Sequence, residues 1–230
     1  MEYMVYGDRG IPFIYFPTQY QRYYEAFDKW VVDTLSYYIE KGAICLIAVD
    51  NIDNESLSNF ANWDKRFRLN RQEEYYNYII NELYPSIMNE YNFNVLPYTL
   101  GMSFGAYQAM NMLIRQPKLF SGVFAMSGIY KISYFINDYY DDLAFLNCPL
   151  DSINLLKDES YINTLRSKKI LVVVSSGAYE EESLKETIEL ERAFNNKNIP
   201  ASFYYWTSNY PHDFPSWNIY LDYYIKDFLK

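Results

Sequence analysis

Histidine is almost missing from this sequence: His212 is the single one among 230 residues. Cysteine is nearly as scarce. Cys45 lies in an apolar run and Cys148 in a loop-like Asn147-Cys148-Pro149. A zinc site assembled from His and Cys clusters has no ligands to draw on, so no metal is expected. The two cysteines read as free thiols of a reducing compartment rather than a disulfide framework. Basic charge is short as well, with 20 Lys+Arg against 29 Asp+Glu and a net charge of -9. That is the wrong sign for docking on nucleic-acid phosphates or anionic lipid. No stretch approaches the ~20 apolar residues of a membrane span. The start, Met1-Glu2-Tyr3, has neither the basic nor the apolar region of a secretory signal. The expectation is a cytoplasmic protein with no nucleic-acid partner and no membrane attachment.

What is present fits a folded globular chain. Half the residues are apolar and 21% are charged, enough to bury a substantial core in a chain of this length. No boundary signal appears, so residues 1–230 read as one domain. Tyr is abundant, 27 residues spread through every segment. Such rings could build a carbohydrate- or aromatic-binding surface, but their even scatter reads as compositional bias.

Short apolar runs alternate with longer amphipathic segments. Strands are expected at Tyr3–Tyr6, Pro12–Phe16, Ala43–Val49, Leu96–Gly101, Gly122–Met126, Ile170–Ser175 and Ser202–Trp206. The inner runs are continuously apolar, as strands covered on both faces are. Helices are expected at roughly Tyr23–Ile39, Arg71–Glu90, Phe104–Arg115, Glu181–Asn195 and Ser216–Leu229. The alternation specifies an α/β fold: a mostly parallel sheet with helices on both faces. The first two strands, joined by Gly7-Asp8-Arg9-Gly10, read as an antiparallel hairpin at one edge. Two connections are long, Asp50–Asn70 and Ser127–Lys168. The second is expected to carry short helices at Ser152–Leu156 and Tyr161–Leu165, and its Tyr130 to Tyr140 stretch could roof a pocket.

Gly101-Met102-Ser103-Phe104-Gly105 follows an apolar strand and opens a helix, the setting in which Gly-x-Ser-x-Gly forms a nucleophile elbow. A side chain two residues either side of the serine would collide with neighbouring elements, so both positions want glycine. A serine hydroxyl is a poor nucleophile until a base takes its proton. The one imidazole stands in Asn209-Tyr-Pro-His212-Asp-Phe-Pro, after the last strand and before the last helix. A loop there faces the same sheet edge as the elbow. The third member of a triad orients the imidazole and lies between serine and histidine in chain order. Gly177-Ala-Tyr-Glu180-Glu181-Glu182 follows the strand ending near Ser175. Glu180 is the choice, with Glu181 and Glu182 as alternatives, since acidic residues in a first helical turn also serve its dipole. Asp213 reads as a loop cap or a surface charge, and Asp141-Asp142 as solvated. An oxyanion hole needs two backbone N–H donors: Phe104 supplies one, and the other falls to Gln19, or second to Thr18, in the loop after Phe16.

On Phe16-Pro-Thr-Gln19, Val49-Asp50 with Glu55-Ser56, Gly101-Met-Ser-Phe-Gly-Ala-Tyr107, Phe124-Ala-Met-Ser-Gly128, Asn147-Cys-Pro149, Gly177-Ala-Tyr-Glu180 and His212-Asp-Phe-Pro-Ser-Trp217, the chain resembles the putative-esterase branch of the α/β hydrolases. Esterase D, feruloyl esterases and mycolyltransferases are relatives in that branch, and small uncharacterised bacterial members are the most alike. The resemblance implies an α/β-hydrolase fold and a Ser–Glu–His machine without cofactor, but not a substrate. Tyr20 departs from the branch, whose members tend to carry a small residue beside the oxyanion loop. The expected reaction is hydrolysis of a small carboxylic ester through an acyl-serine. Acyl transfer to a sugar or other alcohol is the alternative, and an inactive binding module on the same fold a second. Neither the oligomeric state nor the acyl and alcohol groups are written in the sequence.

Overall fold

Seven strands make one sheet in the order β1-β3-β2-β4-β5-β6-β7 in the computed structural model, which describes Met1–Lys230. They are β1 Tyr3–Tyr6, β2 Ile11–Phe16, β3 Ile44–Val49, β4 Tyr98–Met102, β5 Gly122–Met126, β6 Lys169–Ser175 and β7 Ser202–Trp206. All neighbouring pairs are parallel except β1 and β3. Every residue of β3 and β5 is buried, which is why these runs are apolar without alternation. This is the mostly parallel α/β sheet expected from the strand–helix alternation, with the order that the resemblance to α/β hydrolases implies.

The expected edge hairpin does not form. β1 pairs antiparallel with β3, Tyr3 opposite Val49, while β2 lies inside the sheet between β3 and β4. Burial explains the arrangement: β2 is buried from Pro12 to Phe16, whereas β1 has no fully buried residue. A strand apolar on both faces takes an interior place, and the half-exposed one caps the edge.

Alternate residues of each strand feed two cores. Ile14 and Phe16 of β2 face one, Phe13 and Tyr15 the other. The smaller core is closed by α1 (Glu25–Asp28), α2 (Val31–Glu40) and α11 (Phe214–Phe228). The larger takes α3 (Lys65–Tyr78), α4 (Tyr84–Glu90), α5 (Phe104–Arg115), α6 (Ser133–Ile136), α7 (Asp142–Leu146), α8 (Pro149–Leu155), α9 (Glu159–Arg166) and α10 (Glu181–Asn196). Each large apolar side chain removed from water contributes about 1.5–3 kcal/mol. α5 is buried from Phe104 to Ile114, so it is the central helix of the larger core.

Helix boundaries shift where local chemistry overrides periodicity. The expected Tyr23–Ile39 helix breaks at Trp30, which adopts φ 60 between α1 and α2. α3 begins at Lys65, six residues before the expected Arg71, because Asp64 caps it by accepting the Phe67 N–H. It continues through a π-helical turn, Ile79–Leu83, into α4. The long crossover after β5 contains four short helices, two of them near the expected positions. Asp141 is not simply solvated: it caps α7 through the Ala144 N–H and pairs with Arg66.

The parallel registers set the site. Gly101 of β4 stands opposite Phe16 and Ala125, Met126 opposite Val173, and Ser175 opposite Trp206. The loops following β2, β4, β5, β6 and β7 therefore leave the sheet along one edge.

Candidate active site

The elbow is built as its sequence demands. Ser103 sits between β4 and α5 with φ 53 and ψ -121, a conformation side chains rarely adopt. Its N–H donates to the Met126 carbonyl at 2.9 Å. A Cβ on Gly101 would lie 2.3 Å from the Gly105 backbone, and one on Gly105 would lie 2.0 Å from the Phe16 carbonyl oxygen. Neither contact is possible, so glycine is required at both positions, and the strand–helix turn presses against the end of β2.

His212 arrives from the loop between β7 and α11. That loop is laced to the one after β6: the His212 N–H donates to Ala178 O at 2.9 Å, and the Ser175 hydroxyl donates to Tyr210 O. The Gly177 N–H in turn donates to the Ser175 hydroxyl oxygen at 3.0 Å. A Cβ on Gly177 would fall 2.1 Å from Tyr210 O, so this close approach also needs glycine. Asp213 caps α11 by accepting the Ser216 N–H at 3.0 Å, as a loop cap should. The half-buried imidazole ends with Nε2 2.9 Å from Ser103 Oγ.

Glu180 occupies the position just before α10 and is fully buried. Its Oε1 lies 3.4 Å from His212 Nδ1, within ion-pair range but not aligned as a hydrogen bond. Such contacts are commonly long in free enzymes and tighten with substrate. Glu181 and Glu182 fall in the first turn of α10, exposed to solvent. The structure thus brings Ser103, His212 and Glu180 together and leaves the two alternative glutamates outside.

Two residues escaped sequence reasoning. Ser127, directly after β5 with φ 53, donates its hydroxyl hydrogen to Glu180 Oε1 at 2.5 Å. The Trp217 indole N–H donates to that same hydroxyl oxygen at 2.9 Å, and the Trp217 ring stands edge-on to His212 with centroids 4.8 Å apart. Ser127 N–H is held by Val173 O at 2.8 Å. A buried carboxylate needs donors or a cation. Ser127 gives one donor to Oε1, and Glu180 Oε2 has none; the one basic group within ion-pair range is the His212 imidazole. Both residues stand inside motifs quoted above, but a small hydroxyl at a strand end carries no signal of its own.

Beside the elbow runs Pro17-Thr18-Gln19-Tyr20. The Thr18 N–H is taken by Glu25 at 2.8 Å and the Tyr20 N–H by Asp53 at 2.9 Å. The Gln19 N–H between them donates to no group of the chain. Burial pushes both carboxyls above the ordinary range, against the hydrogen bonds they accept. The connection after β3 and α6 are tied together by Arg68. Its buried guanidinium donates to Ser56 O, Leu57 O and Phe135 O, with no carboxylate partner. Phe135 packs on Phe104 with centroids 5.4 Å apart. Exposed Phe60 and Tyr134 meet edge-on at 6.4 Å nearby. A cavity of about 500 Å³ lies elsewhere, around Ile114, Arg115 and Tyr161 at the other end of α5.

The family model described as "Putative esterase" matches residues 9–229. No curated protein matches the chain. Among solved structures, an S-formylglutathione hydrolase from Agrobacterium tumefaciens superposes with TM-score 0.72 at 14% identity, covering 99% of this chain and 88% of that one. A ferulic acid esterase gives TM-score 0.71 at 18% identity, with 96% and 84% covered. The capsule O-acetyltransferase of Neisseria meningitidis serogroup A gives 0.58 at 15%, with 99% and 90% covered. At these identities the likeness is one of fold.

Proposed function

The chain belongs to the Putative esterase family, and on that premise we propose that it hydrolyses a small carboxylic ester through an acyl-serine intermediate, using Ser103, His212 and Glu180. The observation that carries this reading is the 2.9 Å approach of His212 Nε2 to Ser103 Oγ, with Glu180 behind Nδ1.

Ser103 Oγ attacks the acyl carbon as His212 Nε2 accepts its proton. Glu180 holds Nδ1–H, which fixes the tautomer, and stabilises the imidazolium in its buried setting. The negative charge on the former carbonyl oxygen falls to the backbone N–H groups of Phe104 and Gln19. Collapse expels the alcohol, protonated from Nε2. Water then enters, gives its proton to His212, and attacks the acyl carbon to release the acid and restore Ser103. The crossover 127–168, with Tyr134 and Phe135, forms a wall of the substrate cleft in this reading.

A fluorophosphonate probe followed by mass spectrometry tests the proposal. One adduct, on Ser103, is expected. An unlabelled protein would be a binding module on the same fold. The second reading, acyl transfer to a sugar or other alcohol, is favoured by the exposed rings of Tyr20, Phe60 and Tyr134, flat surfaces on which a sugar could stack. It uses the same three residues, and the capsule O-acetyltransferase shares the fold. Adding acceptor alcohols and measuring whether product partitions away from hydrolysis separates the two. The buried, unpaired Cys45 and Cys148 accord with a reducing, cytoplasmic location.

A further inference from the structure

Three consecutive peptide units follow β2, and the middle one carries the Gln19 N–H. The unit before it is held at the Thr18 N–H by Glu25, whose carboxylate also accepts from the Thr18 hydroxyl and, at 3.0 Å, from the Tyr15 hydroxyl. The unit after it is held at the Tyr20 N–H by Asp53. Both carboxylates are 1% exposed, and they come from different elements, α1 and the connection after β3. Tyr20 is held at φ 63, a left-handed conformation uncommon for an aromatic residue, with its hydroxyl donating to Ser58 O at 3.1 Å. The Gln19 side chain is also fixed, Nε2 donating to Ser58 Oγ at 2.9 Å. Within this bonded segment the Gln19 N–H alone has no acceptor in the chain. The half-buried Gln19 N–H is thus the one donor of the three left free for a group from outside the chain.

Resting on the reading of Ser103 as nucleophile, we propose that Glu25 and Asp53 are positioning residues: they clamp the peptide units either side of Gln19 so that its N–H stays aimed at the oxyanion. Burying two carboxylates is costly, and a loop that only had to close could use neutral acceptors or water. Charge-assisted acceptors give shorter, stronger bonds to N–H groups, and pinning both neighbours stops the middle unit from rotating. The start of the loop is fixed against the elbow, since Phe16 O and Pro17 O sit where a Cβ on Gly105 would be. The donor is therefore preorganised before substrate arrives, which is the condition for electrostatic stabilisation without reorganisation.

The test is Glu25→Ala and Asp53→Ala beside Glu25→Gln and Asp53→Asn, with an ester substrate and a trifluoromethyl ketone that forms an oxyanion on the serine. Outright loss of one oxyanion donor costs roughly 10²–10³ in kcat, so misplacing it should cost about 10–100-fold. KM should stay within about twofold, and affinity for the ketone should fall by the same factor as kcat/KM. The amide variants keep an acceptor oxygen and should recover most of the loss. Should an alanine variant unfold, Glu25→Met and Asp53→Leu fill the volume without an acceptor and are read the same way. Unaltered kcat, a loss confined to KM, or a loss of turnover that ketone affinity does not share overturns the clamp. Failure of the fluorophosphonate to label wild-type Ser103 overturns the nucleophile reading instead; labelled wild type with unaltered clamp variants sinks the clamp alone.

Discussion

The two halves of the candidate site are built from different materials. In the proposed mechanism the proton-moving half is made of side chains: Ser103, His212 and Glu180, backed by Ser127 and Trp217. The half proposed to face the oxyanion is made of main chain, with acid side chains withdrawn behind it on the Thr18 and Tyr20 amides. In the first, residue identity carries the chemistry, so one substitution removes a function. In the second, geometry carries it, and the residues that matter never touch the reacting atoms.

The sharpest way to break that contrast is at the nucleophile. Ser103→Ala should fold normally and lose several orders of magnitude in ester turnover, towards the residual ~10³–10⁴-fold over water that an oxyanion hole alone supports. Near-wild-type turnover in initial-rate assays would end the hydrolase reading. Next is Glu180→Gln, which keeps size but can present an N–H where Nδ1–H needs an acceptor. Turnover should fall by up to ~10⁴, as for the equivalent change in a serine protease; a loss below tenfold would remove Glu180 from the mechanism.

Gly105→Ala probes the geometric half. Its Cβ would meet Phe16 O at 2.0 Å, so the elbow or the loop after β2 must move. Overpacking of this kind costs about 1–3 kcal/mol or more, read as a lowered Tm. A shift of ~1 Å at the site can cost about 10²-fold in turnover. An unchanged Tm with unchanged turnover would show the junction to be soft. Ser127→Ala takes one donor from a buried carboxylate and strands the Trp217 indole N–H, a cost of about 1–3 kcal/mol in chemical denaturation, with turnover down about tenfold. Stability equal to wild type would mean that water replaces the hydroxyl. Smallest of all, Glu181→Gln and Glu182→Gln should cost only a few tenths to ~1 kcal/mol of helix-dipole interaction. Turnover in either that fell as far as in Glu180→Gln would reverse the choice of acid.

Legibility in the sequence follows the same division. Gly101, Ser103 and Gly105 announce an elbow because spacing and residue type are both constrained, and His212 had no competitor. Glu180 was separable from Glu181 and Glu182 only by its place ahead of the helix, and in the structure it is the buried one of the three. Ser127, Glu25 and Asp53 gave no sign, because a serine or a carboxylate in a loop is ordinary until its burial is known. The sheet was legible in its parallel interior, where apolar runs leave no choice. It was misread at the edge, where the turn Gly7–Gly10 suggested a hairpin and the half-exposed β1 instead paired with β3. Trp30 broke a helix that periodicity had continued, since an amphipathic pattern does not record a single left-handed residue.

The contact of Trp217 with the imidazole has an optical consequence. An indole with its edge toward a ring that gains charge, and its N–H tied to the hydroxyl that also serves Glu180, should change its emission whenever His212 takes up a proton. Trp30 and Trp63 are exposed and Trp206 packs among Tyr210, Tyr220 and Tyr224, so replacing these three leaves Trp217 as the one indole. On the proposed mechanism the chain then carries a native reporter beside its base, able to follow proton transfer in a stopped-flow mixer even for esters whose products are colourless.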